Sequence, residues 1–391
     1  MKILVLSPRL PHSRVVSGHL IVYQRILRLA QRGHQIGLAT FSSPDDAERL
    51  PDIQPSLRDV CLLPAPEARP WHRLYRPSVF MPFYSGEMTR VLGEMILRDR
   101  YDVVLAEFGL MAQHLRRNPY LPAVRKVISV HQCHSLSARL AYQMHPEWIR
   151  WLGDLRLRRL RQYEFGLYRA ADHILALSPE VRYGLLEESP DLRVTVIPSG
   201  VDTEFYRPDP AAHKETALIF TGIFDDVANR DAALWFGTEV WPKLAAPHPD
   251  LLFYVVGPDP SPAMKDLGRR DPRIVLTGEV EDIRPYLSRA RVFVCPTRMG
   301  SGLRGKVLQA MSAGVPVVST THGAEGIPIQ MGDTGFLADT PEIMARTVDL
   351  LLGDPVLQSG VAQRARAMVA ERFSWDRGVD MLERILQETV A

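Results

Sequence analysis

Short apolar runs alternate along this chain with longer stretches in which apolar residues recur every three or four positions. The short runs are dense in Val, Ile and Leu and are bounded by Gly, Pro, Ser or Asp, as expected of strands buried on both faces. In the first half this predicts strands at Ile3–Ser7, Gln35–Thr40, Val60–Leu63, Val103–Ala106, Val127–Val130, His173–Ala176 and Val194–Ile197. Helical spacing predicts helices at Ile21–Arg32, Met88–Leu97 and Trp151–Ala171. A proline-rich polar break follows at Phe205–Pro210, and the pattern then restarts. The second half carries strands at Ala217–Thr221, Leu252–Val256, Ile274–Leu276, Val292–Cys295 and Val315–Ser319, with a helix at Ala232–Leu244. Strand–helix alternation of this kind builds parallel sheets covered by helices on both faces. The expected fold class is therefore α/β: two doubly wound, Rossmann-like domains facing across a cleft, with the C-terminal ends of the strands turned toward it.

Composition narrows the function classes. At 391 residues the chain can bury two separate cores, and 46% hydrophobic with 24% charged residues is the balance of a globular protein. Forty-seven Lys and Arg against 45 Asp and Glu leave +2, so no global field attracts nucleic acid. Cys61, Cys133 and Cys295 are far apart and form no C-x-x-C pair, which points to neither a disulfide framework nor a zinc site. The opening MKILVLSP reads as a strand and turn rather than a secretory leader, so a cytoplasmic location is expected.

The chemistry concentrates between Arg291 and Gly326. A buried strand enters a helix through Gly300, Gly302 and Gly305, which leaves backbone N–H groups at a helix start, a ready anion site. Arg304 and Lys306 fall in the first turn of that helix, where the helix dipole favours acids. Two cations in a locally disfavoured place imply an anionic ligand, and phosphate is the natural choice. Gly300-Ser301-Gly302-Leu303-Arg304-Gly305 also satisfies G-x-G-x-x-G, but the dinucleotide fingerprint needs an acid about 20 residues on, at the next strand tip. Ser319-Thr320-Thr321 stands there, which argues against NAD or FAD.

Several ordered segments resemble GT-B-fold glycosyltransferases of the retaining family 4 type, also called group 1. They are Ser17-Gly18-His19, Leu177-Ser178-Pro179-Glu180, Val196 to Asp202, Phe220-Thr221-Gly222, Val256-Gly257-Pro258, Thr277-Gly278-Glu279-Val280 with Asp282, Pro296 to Ser319, and Phe373-Ser374-Trp375. The resemblance implies an acceptor-side domain at 1–205, a nucleotide-sugar domain at 206–374, and a final helix, 375–391, packing back on the first. It implies a sugar nucleotide as co-substrate, a glycan, lipid or small-molecule acceptor, and no metal or other cofactor.

Glycosyl transfer from a sugar diphosphate needs charge and N–H groups aimed at the leaving phosphates. Arg304 and Lys306, with the backbone of Gly300, Ser301, Gly302 and Leu303, are the candidates. Gly18, Gly222 and Gly278 resemble the donor-side glycines of the family, and His131 its histidine at the transferring sugar. Glu107, directly after a strand, reads either as a substrate contact or as a cap of the following turn; His134 reads as a substrate contact or a structural loop residue. Two departures stand out. The family often carries glutamates where this chain has Ser301 and Gln309, the latter still able to bond ribose hydroxyls as a neutral amide. A Lys common after Gly222 is replaced by a stretch in which Arg230 is the nearest cation. These departures leave open a second reading, a nucleotide-sugar-binding protein of weak or absent turnover; a nucleotide-sugar epimerase on the same fold is a third.

Arg150 to Arg169 holds six arginines against two acids, beside Trp148, Ile149, Trp151, Leu152, Leu155 and Leu157. A basic amphipathic helix at 148–169 either makes peripheral contact with an anionic membrane or packs its apolar stripe on its own domain.

Overall fold

The computed structural model describes residues 1–12, 18–43, 46, 49–66, 76–143, 147–299 and 303–391, without the side chains of 140–143 and 147–153. Gly300, Ser301 and Gly302 thus lie outside the described residues, as do the side chains of Trp148, Ile149, Trp151 and Leu152. The chain forms two compact units, Met1–Pro198 with Gly378–Ala391, and Ser199–Arg377.

The first unit is a seven-stranded sheet in the order β3-β2-β1-β4-β5-β6-β7. Its strands are β1 Lys2–Ser7, β2 Gln35–Ser42, β3 Asp59–Pro64, β4 Val103–Glu107, β5 Arg125–Val130, β6 His173–Ala176 and β7 Val194–Val196. Every neighbouring pair is parallel. Because side chains alternate across a strand, Leu4, Leu6, Val104 and Ala106 fall in one core layer. Ile3, Val5, Val103 and Leu105 fall in the layer on the other face. That other layer also holds Val379, Leu382, Ile385 and Leu386 from the final helix, Trp375–Val390. Its polar side is held by Arg32, 2.7 Å from Asp380 and 2.9 Å from Glu383, and by His34, 2.8 Å from Glu383.

The second unit is a six-stranded parallel sheet, β10-β9-β8-β11-β12-β13. Its strands are β8 Ala217–Thr221, β9 Leu252–Val256, β10 Ile274–Gly278, β11 Val292–Cys295, β12 Val317–Ser319 and β13 Phe336–Leu337. Phe220, Phe253 and Val294 line one core layer; Ile219, Tyr254 and Phe293 line the other.

Some elements and boundaries differ from the sequence expectation for local reasons. The crossing into the second unit falls at Pro198 rather than after Phe205, because Val201 already donates its N–H to Phe373 O (2.7 Å). The helix expected at Ala232–Leu244 begins at Val227, where Asp226 caps it by accepting from Asn229 N, 3.0 Å away. It then widens into a π turn at Phe236–Val240, which ends two residues before Pro242, whose missing N–H breaks the regular ladder. β13 was not anticipated, since two residues carry no periodicity to read.

In both sheets the strand order reverses once, between β1 and β4 and between β8 and β11. Open parallel sheets bind ligands beyond the strand C-termini at such reversal points. The candidate residues gather there.

Candidate functional site

In the first unit the corner is built by the helix Gly18–Gln31 after β1, by the end of β4 and by the end of β5. The helix buries Ile21, Val22, Arg25, Ile26 and Leu29, so Arg25 is carried into the core on the apolar stripe. A buried guanidinium needs a partner. Its Nη1 donates to both oxygens of Glu107, at 2.8 and 3.0 Å, and to Ser129 Oγ at 2.8 Å. Glu107 Oε2 also lies 2.9 Å from His131 Nε2. Glu107 is fully buried, and burial alone would raise its pKa; the Arg25 charge and the His131 bond outweigh this and hold it at about 2. Burial pushes His131 below the ordinary histidine value, against the pull of Glu107.

Phe108 follows Glu107 with φ of 64°, a conformation strained for a bulky residue. Stacking accompanies it: the Phe108 ring lies 3.9 Å from that of His131 at 18°, and 5.2 Å from that of His19 at 37°. Gly18 fits against these rings because it has no side chain. A Cβ there would lie 2.6 Å from Phe108 Cζ and 2.9 Å from His131 Nδ1.

The expected residues of this unit thus separate. Gly18, Glu107 and His131 come together. Glu107, however, is a buried ion-pair partner with both oxygens engaged by Arg25, rather than a substrate contact or a turn cap. His134 starts the helix His134–Gln143, gives its backbone N–H to Glu164 Oε1 (2.9 Å) and sets its ring edge-on to Phe80 at 5.9 Å, the structural alternative. Arg25, Ser129 and Phe108 were not singled out from sequence. An arginine at the fourth position of an Ile21-Val22 stripe was the available signal for Arg25; nothing local marked the other two.

In the second unit the corner forms where β8, β9 and β10 end. Gly222 N donates to Val256 O (3.0 Å) and Gly257 N to Gly278 O (3.1 Å). A Cβ on Gly257 would lie 1.8 Å from Gly222 O, and its φ of 142° strains any side chain. Lys306, in the first turn of the helix Gly305–Ser312, projects toward this corner. Its Nζ donates to Asn229 Oδ1 at 2.6 Å and sits 4.5 Å above the Phe220 ring. It is also 3.1 Å from where a Gly222 Cβ would stand. Burial, with Arg304 adding repulsion, lowers the Lys306 pKa from 10.5 to about 8. Arg304 is the N-cap residue, gives no side-chain cap to the helix, and donates from Nη2 to Met299 O at 3.0 Å.

Gly222, Gly278, Arg304 and Lys306 therefore share one side of this unit, and Arg230 lies one residue beyond Asn229 in the helix Val227–Trp235. Leu303 packs on the apolar layer beneath. Gln309 is buried, and its Nε2 donates one of its two hydrogens to Tyr206 Oη at 3.1 Å, a packing contact with the linker segment. Asn229 went unnoticed in the sequence, since its partner lies 77 positions away.

Comparison with known proteins agrees with this architecture. Residues 21–205 match the model for glycosyltransferase family 4, and 215–354 that for glycosyl transferases group 1. The chain is 32% identical over 241 residues to the alpha-maltose-1-phosphate synthase of Mycolicibacterium smegmatis, covering 53% of this chain and 60% of that protein. It spans less than two thirds of the length of this and other curated relatives. Sucrose-phosphate synthase from Thermosynechococcus elongatus superimposes with a TM-score of 0.70 at 19% identity, covering 99% of this chain and 98% of that one. Anabaena Alr3699/HepE in complex with UDP gives 0.70 at 16% identity, over 99% and 100% of the two chains. Two successive family matches that between them take in most of both units, on this sheet topology, identify the family: the chain belongs to the GT-B glycosyltransferases of family 4, group 1.

Proposed function

We propose that the protein is a retaining glycosyltransferase that moves a sugar from a nucleoside-diphosphate sugar to a hydroxyl of a glycan, lipid or small molecule. The observation that carries this reading is Lys306: a part-buried ammonium set against Gly222 at a strand end, with a pKa lowered to about 8, at the start of a helix whose N-cap residue gives it no side-chain cap. A cation kept where burial disfavours it gains most when an anion arrives. Arg304 and Lys306 then take up the charge that develops on the departing diphosphate, and Gly222 and Gly257 let backbone approach it. His131 hydrogen-bonds the transferring sugar. In the retaining course, departure and attack use the same sugar face, and the leaving phosphate oxygen accepts the acceptor's proton.

The second reading, nucleotide-sugar binding with little turnover, is favoured by Ser301 and Gln309 standing where the family often has glutamates, and by Gln309 lying against Tyr206. A peripheral membrane contact through 148–169 is a further part of the proposal. It is supported by the exposed Arg156, Arg158, Arg159 and Arg161 and by Leu155, which is 73% exposed. No described helix is long and apolar enough to cross a membrane.

The test is a thermal-shift series with UDP, GDP, ADP and their sugars against the bare nucleosides, followed by NMR of the product anomer. A ligand that binds only the folded state raises stability by mass action. Stabilisation by one diphosphate and not by its nucleoside is expected, with the donor's anomeric configuration kept in product. No diphosphate response rejects the donor site, an inverted anomer rejects retention, and binding without any transfer or donor hydrolysis favours the second reading.

A further inference from the structure

The corner of the first unit contains a chain of donors and acceptors whose polarity is determined from its buried end. Arg25 has only hydrogens to give. It gives them to both oxygens of Glu107 and to Ser129 Oγ. A carboxylate clamped by a guanidinium at 2.8 Å carries no proton of its own. The hydrogen in the 2.9 Å contact between Glu107 Oε2 and His131 Nε2 must therefore belong to the imidazole. A neutral imidazole has one N–H, so Nδ1 carries a bare lone pair. That Nδ1 is buried and has no hydrogen-bond partner among the described residues. It is held next to Gly18, the first residue of a helix, where the positive end of the dipole disfavours a second proton.

We infer that Arg25, Glu107 and Ser129 are positioning residues that set His131 as a hydrogen-bond acceptor at Nδ1, so that it takes an O–H or N–H hydrogen from a ligand and gives none. The titratable groups packed around it are Arg25 and Glu107, both charged, and His19, which burial lowers to a pKa of about 4 and so keeps neutral at pH 7; Ser129 on β5 adds a neutral hydroxyl. The ligand class follows from polarity: a hydroxyl suits this atom, whereas a phosphate or carboxylate oxygen, which only accepts, does not. Under the proposed transferase function that hydroxyl is one on the transferring sugar, and this identification alone rests on that function. Carbonyl and phosphoryl oxygens are left to the second unit's cations.

Glu107→Gln separates the alternatives. Arg25 can bond only the amide oxygen, which turns the amide nitrogen toward His131 Nε2. The nitrogen then donates, Nε2 becomes the acceptor, and the ring hydrogen moves to Nδ1. The experiment is nitrogen-15 NMR of the ring nitrogens in the full chain at pH 7, with the His131 signals assigned by their loss in His131→Asn. Expected are a protonated Nε2 and bare Nδ1 in the wild type, and the reverse in Glu107→Gln. In a transferase assay the same variant should lose at least tenfold in kcat with less than a threefold change in the KM for sugar nucleotide. A wild-type ring protonated at Nδ1, or a tautomer unmoved by Glu107→Gln, overturns the inference. If the protein transfers no sugar, the nitrogen spectra still decide the tautomer, so failure of the function and failure of the polarity are told apart. Should either variant not fold, neutron diffraction from deuterium-exchanged wild-type crystals locates the ring hydrogen directly, and deuterium on Nδ1 refutes the assignment.

Discussion

Lys306→Met removes the buried cation while keeping the length and most of the volume of the side chain. At 1.36 kcal/mol per pKa unit, the fall of Lys306 from 10.5 to about 8 means that holding it charged in the folded state costs roughly 3 kcal/mol at pH 7. Methionine escapes that cost but leaves Asn229 Oδ1 without its 2.6 Å donor, a loss of about 1–3 kcal/mol. The net expectation is an unliganded variant equal to the wild type or about 1–2 kcal/mol more stable, a rise of roughly 2–6 °C in Tm for a unit of this size. The pH dependence has a definite sign. Because the folded pKa lies below the unfolded one, the unfolded chain binds more protons between pH 8 and 10.5, so this group makes the wild type gain stability as pH rises through that window. Methionine has no such term, so its advantage should vanish within that window and become a deficit of about 1–3 kcal/mol by about pH 10.5, where only the lost Asn229 bond remains. Ligand binding runs the other way: losing a buried charge on the diphosphate should weaken it by about 1.5–3 kcal/mol, roughly ten- to hundredfold in Kd. Thermal unfolding of both proteins from pH 7 to 10, with and without UDP, reads all three quantities. A variant already destabilised by more than about 2 kcal/mol at pH 7, one whose stability relative to the wild type does not fall between pH 8 and 10, or one that binds diphosphate as the wild type does, would refute the reasoning.

Gly257→Ala places a Cβ 1.8 Å from Gly222 O at a φ of 142°, and should cost at least about 3 kcal/mol, read as a lowered Tm; a change below about 1 kcal/mol contradicts the close approach. His131→Ala should lower kcat roughly ten- to hundredfold, the worth of one bond made to the sugar as charge develops, while the Kd for UDP stays within about twofold; wild-type turnover removes His131 from the site. Vesicles rich in phosphatidylserine should retain the protein at low salt and release it at about 0.5 M NaCl, whereas charge reversal at Arg156, Arg158 and Arg159 abolishes retention; equal binding to neutral vesicles points away from a charge-driven contact.

Much of the fold was legible because a doubly wound sheet announces itself locally. Strands such as β1, β8 and β11 are buried on both faces and read as unbroken apolar runs, and the helices between them keep their own period. The two cations of the second unit's corner were legible for a related reason: Arg304 and Lys306 violate a local rule at a helix start, and such violations can be seen without knowing what compensates them. Only the tertiary structure decided what the buried polar groups do. Glu107 sits 82 positions from Arg25 and 24 from His131, so nothing in its neighbourhood distinguishes a substrate contact from an ion pair. Gln309 finds Tyr206 103 positions away. Periodicity is set by neighbours along the chain, whereas a buried charge takes its partner from whichever strands the topology sets side by side.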